Sequence, residues 1–189
     1  THELEILEAK DLGFGYRDSI FKRGKLGVVT WVEFELNEHA AALERLTEAV
    51  GKEVRTPAEI RNAVLETRAQ KGMVLSETDF DTHSCGSFFT NPIVNFGFAA
   101  TLPSEAPRWE QPDGSVKISA AWLIENSGIG KGFKLGNSKA STSTKHCLAI
   151  TNRGGASADE IVELARFIQT SVSNRYGINL VPEPNLIGF

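Results

Sequence analysis

Cysteine is scarce: Cys85 and Cys147 are the two in 189 residues. Two thiols cannot build the disulfide lattice of a small secreted fold, and they suit a reducing cytoplasm. Charge of one sign is also lacking. The net charge of -4 gives no global attraction for nucleic acid or an anionic membrane, so neither is expected as a partner. No long apolar run is present, because the uncharged stretch 88–104 is broken by asparagines and two prolines and cannot be a membrane-spanning helix. Internal repeats and low-complexity tracts are missing as well. The opening THELEILEAKDLG has neither the cationic start nor the apolar stretch of a secretory leader. Its first residue is not Met and it reads like the inside of a strand, so the chain is expected to begin in mid-protein.

What remains is a soluble globular composition, 41% hydrophobic and 23% charged, in a length that suits one domain or one and a half. Residues 26–36, LGVVTWVEFEL, alternate Val32, Phe34 and Leu36 with Glu33 and Glu35. That pattern predicts a half-buried strand, antiparallel to the opening ELEILEAK. NEHAAALERLTEAVG predicts a helix stopped by Gly51. TPAEIRNAVLETRAQKG predicts another, with Thr56 as N-cap, Pro57 at N1 and Glu59 at N3. A short helix is expected from Ser119, ending at Gly128, and then a glycine-rich loop, GIGKGFKLG. The last helix starts at the N-cap Ser157 and stops at Gly177, with an apolar stripe of Ile161, Leu164, Ala165, Ile168 and Val172. Strand-like INLV follows. Helices and strands mix without a βαβ rhythm, so the fold class is α+β.

Candidate chemistry is scattered. His83 and Cys85 sit two apart and His146 adjoins Cys147, but neither pair has the ligand spacing of a structural zinc site, so no metal is expected. Cys85 could be a nucleophile, yet no local partner supports it, and a small buried inert thiol is the simpler expectation. GIGKGFKLG lacks the frame of a phosphate loop, although Lys131 and Lys134 could still meet a phosphate. GYRDSIFKRGK offers an anion site through Arg17 or an amphipathic surface loop. In PEPN, two prolines hold Glu183 stiffly, which suits a catalytic carboxylate or a turn glutamate.

Taken in order, YRDSIFK (16–22), RAQK (68–71), GSFFTNP (86–92), SAAWLIE (119–125), KGF-x-x-G (131–136), KHCLAITN (145–152) and PEPNLIG (182–188) resemble the UDP-N-acetylenolpyruvoylglucosamine reductase family, in its actinobacterial form. The resemblance implies FAD reduced by NADPH, and a substrate, UDP-N-acetylglucosamine enolpyruvate, reduced to UDP-N-acetylmuramate for peptidoglycan in the cytoplasm. It implies catalytic roles for Ser87 as proton donor, Arg17 and Glu183, and substrate contacts from Tyr16, Lys71, Asn91 and His146. It also implies a layout: residues 1–71 as the tail of the FAD-binding domain, 72–180 as the substrate-binding domain and 181–189 returning toward the first domain. Most flavin contacts would then lie in a region preceding this chain, and self-association of the shortened domain is a further expectation. The family's aromatic lid falls near Leu43, and the loop after Lys71 is longer than in many members. A UDP-sugar-binding fragment without redox activity is the alternative. A cysteine hydrolase using Cys85 is a third reading.

Overall fold

The computed structural model describes residues 3–36, Thr47, Gly51 and 56–188, and the chain divides into two units, Thr1–Ala41 and Ala42–Phe189. Most of the helix expected over NEHAAALERLTEAVG, Leu43 included, lies outside the described residues. Gly51 itself adopts φ 67° and its N–H bonds the Thr47 carbonyl at 2.9 Å, the geometry of a helix stop.

The first unit is a chain of turns. A 3₁₀ turn spans Ala9–Leu12, and Gly15 and Asp18 form an isolated bridge with reciprocal N–H···O bonds of 3.1 and 3.3 Å. Tyr16 and Arg17 are the two central residues of that turn. The expected strand 26–36 does not form: no ladder runs through it, and Leu26 is 94% and Leu36 89% exposed. The alternation is present, but a strand needs a hydrogen-bonded neighbour, and a lone two-stranded ribbon is marginal in water. The opening segment does not supply that neighbour.

The first element of the second unit described in full is α1, Pro57–Gln70, whose start carries the full capping box between Thr56 and Glu59. Its end is a Schellman turn, with Met73 N–H on the Arg68 carbonyl at 2.8 Å and Gly72 N–H on Ala69 at 2.9 Å. Gly72 is needed twice over. Its φ is +70°, and a Cβ there would lie 2.9 Å from the Asp81 carbonyl oxygen. Two antiparallel sheets follow. One orders β1 (Ser84–Ser87), β6 (Ala149–Asn152) and β5 (Ala140–Thr142); the other orders β2 (Ile93–Val94), β4 (Val116–Ile118) and β3 (Arg108–Glu110).

Helices α2 (Phe96–Thr101), α3 (Ala120–Asn126) and α4 (Ala158–Tyr176) complete the α+β fold. The α4 ends are as expected, with a Ser157–Glu160 capping box and Gly177 in the left-handed region. Its expected stripe faces the core, with Leu164, Ala165, Ile168 and Val172 buried in it and Ile161 partly buried against it, and Val162 is buried as well. Leu164, Ala165, Ile168 and Val172 join Phe88, Phe89, Ile118, Leu123, Ile124 and Leu180 in one core. Each such burial contributes about 1.5–3 kcal/mol. INLV runs extended without becoming a full strand, but its end pairs back. Thr90 N–H bonds Val181 at 3.0 Å, and Phe89 and Pro182 form a bridge.

Candidate active site

The stretch 84–92 is held by three constraints. β1 pairs Ser84 with Thr151 and Ser87 with Ala149, so one extra residue sits on the β1 side as a bulge. Gly86 has φ +82°, the conformation a glycine bulge requires. A bulge re-aims the side chain that follows it, here Ser87. Phe88 and Phe89, 3% and 1% exposed, drive into the core directly behind. Asn91 anchors the far end by accepting the Ala120 N–H at 2.9 Å, which joins the loop to the start of α3. The Ser87 hydroxyl is half-buried and makes no hydrogen bond to another described residue.

The C-terminal segment delivers Glu183 to this place. Glu183 N–H bonds the carbonyl of Phe88, the residue after Ser87, at 2.9 Å, while Ser87 itself pairs with Ala149. Cys85 shares the neighbourhood. It is exposed, contrary to the expected buried thiol, because the bulge turns this end of β1 outward. Its pKa is nonetheless raised, first by partial desolvation and also by the nearby Glu183 charge. A thiol held protonated is a poor nucleophile, which counts against the cysteine hydrolase reading. His83 is engaged in packing: its ring meets Phe80 edge-on at 5.3 Å and its Nε2 lies 3.2 Å from the Ser76 carbonyl.

A second cluster gathers cations. Lys71 is the C-cap of α1, at the negative end of the helix dipole. His146 follows a turn in which it and Lys145 both donate backbone N–H bonds to the buried Ser143 hydroxyl, at 3.3 and 3.0 Å. The His146 pKa is lowered, chiefly by burial, then by the charges of Lys71 and Lys131, against the pull of Glu125. Lys71 and His146 were named separately from the sequence, and the charges of Lys71 and of Lys131 in the glycine-rich loop both act on the His146 ring. Glu125 was not anticipated, and nothing in its spacing marks it. Beside it, burial pushes the Cys147 thiol up to about 12, with the Glu125 charge adding to the shift.

Tyr16 and Arg17 belong to the first unit. Arg17 is the non-glycine residue with positive φ among the described residues, at 57°. A left-handed arginine costs of order 1 kcal/mol or more and persists where its surroundings enforce it. Here the Gly15–Asp18 bridge does so, braced by Arg23, which bonds both the Asp18 carboxylate and the Gly13 carbonyl, the latter at 3.0 Å.

The sequence profile of the UDP-N-acetylenolpyruvoylglucosamine reductase C-terminal domain matches residues 78–187, more than half of the chain. The chain belongs to the UDP-N-acetylenolpyruvoylglucosamine reductase family. The reductase of Mycolicibacterium gilvum is 47% identical over 199 residues, covering all of this chain and 57% of its own length. That of Leifsonia xyli is 42% identical over 230 residues, covering 100% and 61%. The crystal structure of the reductase from Thermus caldophilus superposes with a TM-score of 0.52 at 28% identity, over 93% of this chain and 46% of that one. This family member therefore spans roughly half to three-fifths of the length of the relatives it matches.

Two further features of this reductase-family chain escaped sequence reasoning. Asp81, 5% exposed, accepts the Thr144 N–H at 2.7 Å, the Thr144 hydroxyl and Arg153 Nη1 at 2.9 Å. Burial pushes its pKa up, but the Thr144 and Ser143 hydrogen bonds and the Arg153 charge outweigh it, and the net shift is downward. This carboxylate ties the turn Phe80–Thr82 to the far side of the sheet β1-β6-β5. The other feature is a cavity of about 370 Å³ lined by Lys134, Lys139, Arg153 and neighbouring hydroxyls.

Proposed function

We propose that this chain holds the nucleotide end of UDP-N-acetylglucosamine enolpyruvate and delivers the proton that completes its reduction to UDP-N-acetylmuramate, in the cytoplasm. The observations that support this reading are the Gly86 bulge at Ser87 and the Glu183 N–H bond to the adjoining Phe88 carbonyl, in a chain of this family. FAD reduced by NADPH is the hydride source in this reading. The described cavity of cations and hydroxyls does not fit the apolar faces of a flavin ring. The chemistry assigned to these residues is therefore substrate holding and proton delivery, with residues 1–71 serving the flavin half and 72–180 the substrate.

Once the enolpyruvyl double bond has taken up a hydride at its terminal carbon, charge develops at the α-carbon and spreads into the carboxylate. A serine hydroxyl is a weak acid in water, yet against so strong a base at contact distance the mismatch shrinks. Ser87 gives its proton to the α-carbon, and Phe88 and Phe89 form the dry wall behind it. Arg17, held in a strained turn that its neighbours enforce, is the cation assigned to the developing carboxylate charge, with Tyr16 at its side. Glu183 polarises the same carboxylate in its protonated form, by donating a hydrogen bond to it, since an ionised Glu183 would repel it. Lys71, His146 and Lys131 suit the diphosphate, and Asn91 borders it.

The test separates the half-reactions in the complete reductase. Ser87→Ala is expected to leave flavin reduction by NADPH intact and to slow reoxidation by the enolpyruvyl substrate by 10² or more. Equal loss in both halves would defeat the proton-donor role. The alternative, a UDP-sugar-binding fragment without redox activity, draws on the cation cluster lying wholly within the second unit. A purified chain that binds UDP-sugar but takes up no flavin would favour it.

A further inference from the structure

The glycine-rich loop carries one lysine, Lys131, into the cluster around His146, and sends the next one, Lys134, elsewhere. Lys134, Lys139 and Arg153 line the cavity of about 370 Å³ together with Gly132, Asn137, Ser138, Ser141 and Thr144. Three cations and no carboxylate face one concavity, on a chain whose net charge is -4. Like charges gathered in a low-dielectric hollow repel one another, and an anion between them relieves that cost.

The carboxylates nearby are already committed. Asp81 spends its oxygens on Thr144 and Arg153, and Glu160 spends its own on the N–H groups of Ser157 at 2.8 Å and Lys139 at 2.9 Å. The Lys134 and Lys139 ammonium groups make no ion pair with a described residue. Arg153 is held from one side through Nη1, so its guanidinium plane is fixed while its remaining N–H groups bond no described residue. The loop backbone is equally set. Gly132 N–H bonds Ser143 at 3.2 Å, the Thr142 hydroxyl bonds the Gly130 carbonyl at 2.7 Å, and Ser138 accepts the Ala140 N–H at 3.0 Å.

We propose that this cavity is an anion site for a phosphate-bearing small molecule, separate from the diphosphate cluster of Lys71, Lys131 and His146. A guanidinium held by Asp81 through Nη1 and flanked by two ammonium groups matches phosphate oxygens, and the volume exceeds a single phosphate, in the range of small-molecule pockets. The ligand is an independent phosphorylated molecule, because the diphosphate of the UDP-sugar is assigned to the other cluster, and competition with UDP tests that separation.

The test is calorimetric titration of the 189-residue chain with inorganic pyrophosphate at low salt, alone and with saturating UDP. Pyrophosphate is expected to bind with UDP present, to weaken at least tenfold in Lys134→Gln/Lys139→Gln, and to be unchanged at this site in Lys71→Ala. Amide chemical shifts of Gly132 and Asn137 should move on pyrophosphate addition in the unsubstituted chain, a readout that does not depend on the variant folding. No binding, or binding that UDP displaces and Lys71→Ala abolishes while the double variant keeps it, overturns the proposal. The first of those outcomes leaves the reductase reading standing, whereas loss of UDP binding alone would count against that reading and not against this site.

Discussion

The two units carry similar apolar material and treat it in opposite ways. In the first, Leu26, Val28, Phe34 and Leu36 are 76–94% exposed, although they sit in the best strand-like stretch of the chain. In the second, modest triplets such as Val116–Ile118 and Ala140–Thr142 are paired on both flanks or tucked under α4, with Ile118 and Thr142 at 0%. The difference teaches that a strand is made by its neighbours. β-propensity describes a side chain that fits a pleated, half-covered surface, and it has no force where nothing covers that surface.

The contrast is broken or sharpened first by core truncation. Leu123→Ala or Ile168→Ala is expected to cost about 2–5 kcal/mol in urea unfolding, because each is fully buried with no room to collapse. Leu26→Ser should change stability by about 0.5 kcal/mol or less. A comparable loss in both units would refute the contrast.

Next in size is the Asp81 tie. Asp81→Asn should destabilise by about 2–3 kcal/mol, since it removes a charge-assisted bond and leaves Arg153 uncompensated. The folded pKa is lowered, so the carboxylate stabilises the fold above its ordinary value of 3.8 and that contribution fades as the pH falls through the folded value. The variant should show a shallower loss of melting temperature between pH 5 and pH 3, a range set around that ordinary value.

A smaller effect probes the cation cluster. His146 is held neutral below its ordinary 6.5 by burial and the two lysines, and a bound diphosphate would raise it again. Binding then takes up a proton, so UDP affinity should strengthen several-fold as the pH falls from neutrality to about 6. His146→Gln should flatten that profile, and an unchanged slope would remove His146 from the site.

The smallest concerns the thiols and leaves stability unchanged. Alkylation at mild alkaline pH should mark the exposed Cys85 and spare Cys147, whose thiol is buried and raised to about 12. Peptide mass mapping reads the outcome, and Cys147 labelling without unfolding would contradict its burial.

Local chemistry was legible in the residues themselves. Thr56–Pro57–Glu59, Ser157–Glu160 and Gly177 mark helix ends because capping is satisfied within a few residues. The ordered motifs indicated the family. The Asp81–Thr144–Arg153 tie was not legible, because its partners lie 63 and 72 positions from Asp81 and none belongs to a motif. Neither were the exposure of Cys85 and the unpaired 26–36 segment, since alternation records a preference and not a partner.

By itself, then, the sequence determined where α1, α3 and α4 start and stop but not α2, the α+β class, the identity of the family, and a set of chemically able side chains. Only the tertiary structure decided which of them meet. It pairs the Glu183 backbone with Phe88 beside Ser87, brings the charges of Lys71 and Lys131 to bear on His146, and lines a separate hollow with Lys134 and not Lys131. The physical reason is range. Caps and turns are satisfied between near neighbours along the chain, whereas burial, pairing and the shift of a pKa depend on groups that only folding brings together.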